Sequence, residues 1–290
     1  MAEPTPAAPP SAQPPLPHVQ LRDGTRVPAL GLGTWRMGES RRAFAREVAA
    51  LRAGLDLGMR LVDTAEMYGE GGAEQVVAEA IAGRDDMFVV SKVYPHNAGR
   101  RTMPAACRRS LARLGIAALD LYLLHWPGRI ALEETVAAFE GLVHEGLIRR
   151  WGVSNFDVDD MEALFAVPGG DRCAANQVLY NLGERAPDWH LRDWCRARGV
   201  ALMAYSPLGQ GELLGNGALA RLARDAGCTS AQLALAWLLQ RDAIVIPKAV
   251  DAAHVRDNFG ATTLTLCASM QRALDAAFPP PRQPATISVI

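Results

Sequence analysis

The stretch Met59-Arg60-Leu61-Val62-Asp63-Thr64-Ala65-Glu66-Met67-Tyr68-Gly69 begins as a short apolar strand and becomes a polar, glycine-bearing loop within a few residues. Asp63 stands where the apolar run stops, and Tyr68 follows it in the loop. A carboxylate at a strand end and a nearby phenol could exchange protons with a bound molecule. The same side chains could instead be a helix-capping aspartate and a tyrosine packed beneath a loop. Taken alone, the stretch favours this second, structural interpretation. A choice between the two requires its position in the whole fold.

The strand that opens this stretch is one of a series along the chain. Strand-like apolar runs alternate with helical segments, with no break that resembles a linker. The runs occupy residues 29–33, 60–63, 87–92, 119–125, 149–154, 174–178, 200–205 and 243–246. Such alternation predicts an α/β protein with a parallel sheet covered by helices. Eight units in about 250 residues predict a single-domain (β/α)8 TIM barrel rather than an open doubly wound sheet.

Two further segments precede the barrel. Residues 19–27 alternate in polarity around Asp23-Gly24, which is typical of a β-hairpin. Residues 1–17 are rich in Pro and Ala and lack the basic and apolar regions of a secretory signal, so they predict a disordered tail. The predicted organisation is a tail over 1–17 and one barrel domain over 18–290.

The charge balance and the cysteines indicate which partners and which cellular compartment to expect. The 30 basic and 31 acidic residues nearly cancel, which gives no reason to expect a nucleic acid or a membrane as partner. The 5 cysteines are scattered and form no CxxC pair, which favours small buried residues in a reducing compartment over disulfides or a zinc site. No apolar run approaches the ~20 residues of a transmembrane helix. These features predict a cytoplasmic protein.

Most of the reactive side chains fall at the carboxyl ends of the predicted strands. In (β/α)8 barrels this end carries the active site. The residues at strand ends or in the loops just beyond are Asp63, Tyr68, Lys92, His125, Ser154, Gln177, Tyr205 and Lys248. Their common position on one rim favours the functional interpretation of the opening stretch.

Four of these residues suggest proton transfer to a carbonyl. Lys92 would pair with Asp63 at the barrel mouth, and a nearby cation typically favours a phenolate, so we expect a lowered pKa for Tyr68. His125 could donate a hydrogen bond to a developing alkoxide. Lys92 and Asp63 could instead be a buried ion pair without a chemical role, and His125 a histidine of the core. The set as a whole favours reduction of a carbonyl to an alcohol.

Such a reduction needs a hydride donor, which no side chain supplies. Residues 31–36, Gly-Leu-Gly-Thr-Trp-Arg, lack the third glycine of the dinucleotide-binding fingerprint. The sequence contains neither a P-loop, nor an HExxH motif, nor a GxSxG motif, and no clustered ligands predict a metal.

The sequence resembles the aldo-keto reductase family, whose members are (β/α)8 barrels that bind NADPH without the dinucleotide-binding fold. The resemblance runs from about Val19 to the end of the chain. It rests on matches in the order of the chain at residues 31–35, 63–68, 92, 121–127, 152–156, 176–178, 204–208 and 246–248.

The resemblance implies a role for each matching residue. Tyr68 would be the general acid, Lys92 and Asp63 would tune it, and His125 would orient the substrate oxygen. Trp35 and Trp126 would form the walls of the substrate pocket, with ordinary core aromatics as the alternative. The implied cofactor-binding residues are Thr34, Asp63, Ser154, Asn155 and Gln177 near the nicotinamide, Tyr205 stacked on its ring, Ser206 and Leu208 along the pyrophosphate, and Lys248, His254 and Asn258 around the adenosine.

Two positions depart from the family pattern around the adenosine 2′-phosphate. Ala249 and His254 stand where the family usually has Ser and Arg. Because a histidine is charged only part of the time near neutral pH, it is a weaker phosphate ligand than arginine. We expect NADPH as the cofactor because Lys248 is present, with NADH as the alternative.

Within the family, the sequences of residues 63–68, 71–74 and 91–95 are similar to those of bacterial reductases of methylglyoxal and other small aldehydes. The short segment 279–290 implies an open pocket with broad tolerance, and the family's habit implies a monomer. Two rival functions stay open. One is a Schiff-base barrel with Lys92 as nucleophile; the other is a non-catalytic, nucleotide-sensing barrel.

Overall fold

A computed structural model of the chain describes residues 16–283 and 285–289. The strands are β1 (His18–Gln20), β2 (Arg26–Pro28), β3 (Leu32–Gly33), β4 (Leu61–Asp63), β5 (Phe88–Val93), β6 (Leu121–Leu124), β7 (Trp151–Ser154), β8 (Ala175–Leu179), β9 (Ala201–Tyr205) and β10 (Ala243–Val245). The α-helices are α1 (Phe44–Asp56), α2 (Gly72–Ile81), α3 (Met103–Leu114), α4 (Leu132–His144), α5 (Val158–Ala166), α6 (Leu191–Arg198), α7 (Gly217–Asp225), α8 (Ser230–Leu239), α9 (Ala252–Gly260) and α10 (Ala268–Ala277). The tail predicted over 1–17 lies almost wholly outside the described residues.

Strands β3 to β10 form a parallel sheet of 8 strands in which each strand pairs with its neighbours in sequence. The first and last strands meet as well. The amide of Gly31 donates to Val245 O at 2.9 Å, and that of Gly33 donates to Pro247 O at 3.0 Å. Because these bonds leave no free edge, the sheet is a closed barrel. The predicted (β/α)8 fold is confirmed, although the first strand is shorter than residues 29–33.

The predicted hairpin is confirmed as well, with β1 and β2 pairing antiparallel. Leu21 and Val27 of the hairpin are buried in the same apolar cluster as Leu61, Met203 and Ile244 of the barrel strands. The hairpin therefore packs against the apolar residues inside the barrel.

The two-residue period of each strand decides which side chains enter the barrel. Leu61 of β4 belongs to the inner apolar cluster and Val62 to the outer one that packs on the helices, so Asp63 points inward. The same alternation in β5 puts Val90 inside and makes Lys92 the next inward residue. Asp63 and Lys92 thus replace apolar side chains at the last inward positions of their strands.

Among the described residues, no helix combines the length and apolar character needed to cross a membrane. The predictions of a cytoplasmic location and of a monomer stay predictions.

Candidate active site

A buried cluster of hydrogen bonds occupies the carboxyl end of the barrel interior. The Lys92 ammonium donates to Asp63 Oδ2 at 2.7 Å, to Thr64 O at 3.0 Å and to Tyr68 Oη at 3.0 Å. These three bonds use all three donors of the ammonium group. Gln177 Nε2 donates to the second carboxylate oxygen of Asp63 at 2.7 Å. The Lys92 side chain is 0% exposed, so the cluster holds it in one position beneath the phenol.

Burial dominates the electrostatics of Tyr68. Desolvation raises its pKa, Lys92 lowers it and Asp63 raises it again, so that the net pKa lies above its ordinary value. The expectation of a lowered pKa was therefore wrong. It considered the ammonium but not the loss of water or the charge of the aspartate that accompanies the lysine. At neutral pH Tyr68 carries its proton.

The pKa of Lys92 is also raised. Burial lowers it, but Asp63 and Tyr68 together outweigh burial. The ammonium therefore stays charged, and the Lys92–Asp63 pair next to the phenol is confirmed as a feature of the structure.

His125 follows β6 and lies against Tyr68, with ring centroids 5.7 Å apart. Burial and the Lys92 ammonium lower its pKa to about 2, so the imidazole is neutral. Its Nδ1 is buried and has no hydrogen-bond partner among the described residues. A buried N–H without an acceptor is costly, which favours the proton on Nε2. A neutral His125 can donate one hydrogen bond from that nitrogen.

The residues predicted to hold the nicotinamide are bonded to one another. Ser154 Oγ donates to Gln177 O at 2.8 Å, and Asn155 Nδ2 donates to His125 O at 3.1 Å. Tyr205 Oη donates to Asn155 Oδ1 at 3.0 Å. Asn155 has a left-handed backbone with φ 62°, which is uncommon outside glycine. This network fixes the positions of the Ser154, Asn155 and Tyr205 side chains.

A cavity of about 420 Å³ joins these residues to the adenosine-site candidates. Of the predicted site residues, Lys92 alone does not line the cavity, because it lies beneath Tyr68. The predicted residues that do line it are Thr34, Trp35, Asp63, Tyr68, His125, Trp126, Ser154, Asn155, Gln177, Tyr205, Ser206, Leu208, Lys248, His254 and Asn258. The structure therefore brings all of the sequence-predicted residues together.

The cavity also has walls that the sequence did not predict. Arg36 lies over the Trp35 ring at 4.4 Å. Because it directly follows the motif at 31–35, its position in the sequence could have indicated a place in the site. Leu214 and Val289 lie outside the strands and α-helices, and no motif in the sequence pointed to them. They are the large hydrophobic side chains that are exposed among the described residues, at 44% and 57%. Both line this cavity.

Both basic and acidic side chains line the part of the cavity predicted to bind the adenosine. Lys248 lines the cavity, and the loss of part of its hydration there lowers its pKa. Ala249 and His254 line the cavity where the family pattern has Ser and Arg, so the departures seen in the sequence face the site. Asp257 also lines it, and its carboxylate accepts a hydrogen bond from Thr229 Oγ1 at 3.0 Å.

A closed (β/α)8 barrel with a buried Lys–Asp–Tyr cluster and a neutral histidine at its mouth defines a carbonyl-reducing class of enzyme. The family model described as "Aldo/keto reductase family" matches residues 29–278. The chain is 47% identical over 279 residues to methylglyoxal reductase YeaE of Escherichia coli (strain K12), a match that covers 94% of this chain and 98% of that protein. It is 36% identical over 241 residues to a glyoxal reductase of Bacillus subtilis (strain 168), covering 83% and 85%.

A solved structure is similar throughout. The aldo/keto reductase of Klebsiella pneumoniae in complex with NADP and acetate is 46% identical, has a TM-score of 0.92, and covers 95% of this chain and 100% of that one. The chain belongs to the aldo/keto reductase family. The predicted enzyme class is thereby confirmed, while the roles of the individual site residues stay predictions.

Proposed function

We propose that the protein is an NADPH-dependent reductase that converts aldehydes, 2-oxoaldehydes such as methylglyoxal and other small carbonyls among them, to alcohols, with Tyr68 as the general acid. The observation that carries the proposal is the 3.0 Å bond from the Lys92 ammonium to the Tyr68 hydroxyl in a buried cluster at the cavity floor. The similarity to methylglyoxal and glyoxal reductases supports the substrate class.

The lining of the cavity fits a phosphorylated dinucleotide. Lys248 and Arg36 offer cationic groups for phosphates, His254 offers a further hydrogen-bond donor, and Tyr205 offers an aromatic face for a ring. NADPH supplies a hydride to the carbonyl carbon when bound. The NADP held by the similar Klebsiella structure supports this cofactor.

The protein's own groups would handle the proton. A Tyr68 with a raised pKa keeps its proton until the carbonyl oxygen becomes basic during reduction. Once the proton has left, the ammonium of Lys92 at 3.0 Å stabilises the phenolate. Nε2–H of His125 would orient the carbonyl oxygen. Trp126, which packs edge-on against Tyr94 at 6.0 Å, would form a wall beside it.

The rival Schiff-base chemistry fits the site poorly. A nucleophilic lysine must lose its proton near neutral pH, and such lysines have lowered pKa values. Lys92 has a raised pKa and is fully buried beneath Tyr68.

Steady-state kinetics with NADPH and NADH against a panel of aldehydes test the proposal. We expect oxidation of NADPH in the presence of methylglyoxal and other small aldehydes. Trapping of an aldehyde on Lys92 by borohydride, without oxidation of either cofactor, would overturn the proposal in favour of the Schiff-base alternative.

A further inference from the structure

The segment after β9 forms the cavity wall in a strained conformation. Ser206, Leu208 and Gln210 line the cavity, and both Ser206 (φ 46°) and Gln210 (φ 54°) have left-handed backbones. Ser206 also precedes Pro207, and residues before proline are normally restricted to extended conformations. Such a conformation is unfavourable for a serine and persists only where neighbouring groups hold it.

Asn181 lies in the loop after β8 and supplies one of those groups. Its Nδ2 donates to Ser206 O at 2.9 Å. Asn181 is buried, with an exposed fraction of 2%. The same carbonyl accepts the Gly209 amide at 2.9 Å, which closes the turn itself. Asn181 therefore adds a bond from outside the segment to the residue with the left-handed backbone.

The orientation of the Asn181 amide is fixed. Its Oδ1 accepts the backbone amides of Gly183 at 2.8 Å and Glu184 at 3.0 Å. Because only the oxygen can accept from two N–H groups, the nitrogen must face Ser206. The amide cannot be flipped without losing all three bonds.

The loop that carries Asn181 is itself anchored. Arg185 is buried, at 6% exposed. Its Nη1 donates to Asp275 in α10 at 2.7 Å and to the carbonyl of Phe278, just after α10, at 2.6 Å. It also pairs with Asp188 at 2.6 Å. Asn181 thus connects the segment at 206–211 to a fixed part of the structure.

We infer that Asn181 is a positioning residue for the cofactor: it holds segment 206–211 in the shape that lines the pyrophosphate path, so that binding does not have to order it. The inference rests on the proposed function, because that function assigns the segment to the cofactor. Ordering a segment in advance increases affinity without adding a contact. Asn181 itself does not line the cavity, so its effect must pass through Ser206.

Asn181→Asp is the sharpest test, because it keeps the oxygen that accepts from Gly183 and Glu184 but replaces the donor to Ser206 with a second oxygen. We expect the Kd for NADP+, followed by quenching of Trp35 and Trp126 fluorescence, to rise roughly tenfold or more, as for loss of a buried hydrogen bond to a strained turn. We expect kcat at saturating NADPH and aldehyde to stay within about twofold. Hydrogen exchange in residues 206–213 should be faster in the free variant than in wild type and should slow again when NADP+ is bound.

Asn216→Asp is the matched control. Asn216 ends the same loop, but its side chain acts there only as an acceptor, from Ala218 N and Leu219 N. The same substitution thus adds a carboxylate near the loop and keeps the oxygen that accepts these two bonds, so we expect the Kd for NADP+ to stay close to wild type.

The outcomes separate the two proposals. If wild type binds NADP+ and Asn181→Asp binds it equally well, the inference is overturned and the proposed function stands. A kcat that falls as much as the affinity would also overturn it, since that is the result for a general loss of structure. A wild-type protein that binds no NADP+ overturns the proposed function and the inference with it. Asn181→Ala, which adds no charge, carries the same comparison if the Asp variant does not fold.

Discussion

The proton on Tyr68 is held by competing effects within a few ångströms. Burial and Asp63 raise the pKa of the phenol, whereas Lys92 lowers it. For an acid that must deliver a proton to a weakly basic carbonyl, a protonated resting state is an advantage. The lysine then matters most after transfer, when it faces a phenolate rather than a phenol. Under the proposed function, the cluster would favour reduction in two ways: the proton is present beforehand and its loss is stabilised.

Tyr68→Phe tests this role, since it removes only the acidic hydroxyl. We expect kcat for aldehyde reduction to fall roughly 10²- to 10⁴-fold, the usual contribution of a general acid, with little change in NADP+ affinity. Tyr122→Phe is the control: Tyr122 lies on the outer face of β6 against Phe139, so its hydroxyl does not line the cavity. Reductase activity within a few-fold of wild type in Tyr68→Phe would show that another group delivers the proton.

The pH dependence should reflect Tyr68 and not His125. Because the pKa of Tyr68 is raised above its ordinary value of ~10, the acid stays protonated across neutral pH, and kcat should fall only on the alkaline side. The pKa of His125 is about 2, so its neutral form should persist from pH ~5 upwards and produce no acid limb. The measurement is kcat at saturating NADPH, so that changes in cofactor affinity do not contribute. An acid limb near pH ~6.5 that disappears in His125→Asn would contradict this assignment.

At the level of single elements, the sequence predicted what strand periodicity controls. Asp63, Lys92 and His125 could be placed on one rim because each occupies the last inward position of its strand or follows it. Arg36, Gln210, Leu214 and Val289 could not be found this way, since they lie outside the strands and α-helices, in segments that have no strand periodicity. The direction of the Tyr68 pKa shift was missed for a related reason. It depends on how completely three strands and their loops exclude water, which no single element determines.

The seam between β3 and β10 is the element-level feature most sensitive to size. A Cβ added to Gly33 would lie 2.6 Å from Ile246 O and 3.5 Å from Lys248 N. We expect Gly33→Ala to destabilise the protein by roughly 1–3 kcal/mol, as overpacking does, and to weaken NADPH binding because the strand end that carries Lys248 must move. Urea unfolding and the KM for NADPH measure the two effects.

Gly141→Ala provides the comparison for that variant. Gly141 lies within α4, where an added Cβ meets nothing within 4 Å. The same substitution should there stabilise the protein by ~0.5–1 kcal/mol, because alanine favours a helix, and leave the KM unchanged. If Gly33→Ala behaves like Gly141→Ala, the close approach at the seam does not constrain the barrel.

At the scale of the whole molecule, the closed barrel gathers groups that are far apart in sequence. The side chains of Gln177 and Asp63 are 114 residues apart in sequence but share a hydrogen bond. Both point into the barrel at the same height along its axis. The barrel thus explains why eight short, weak signals in the sequence could predict one site. It does not explain discrimination between NADPH and NADH, for which we expect the cavity-lining loop residues Arg36, Ala249 and His254 to matter.

The composition of the chain makes the cofactor question directly testable. Its 30 basic residues include only two lysines, Lys92 and Lys248, and both belong to the candidate site. Lys92 is fully buried and Lys248 is exposed, so an amine-selective acetylating reagent should modify Lys248 and spare Lys92 in the folded protein.

We expect NADPH to protect Lys248 from acetylation, as measured by mass spectrometry, and NADH at an equal multiple of its Kd to protect it much less, because only NADPH carries the 2′-phosphate that an ammonium would bind. A small free amine added to both samples serves as the internal standard for reagent activity. Equal protection by the two cofactors would show that Lys248 is merely covered by the bound dinucleotide. Preference for NADPH would then have to come from Arg36 or His254, both of which line the same cavity.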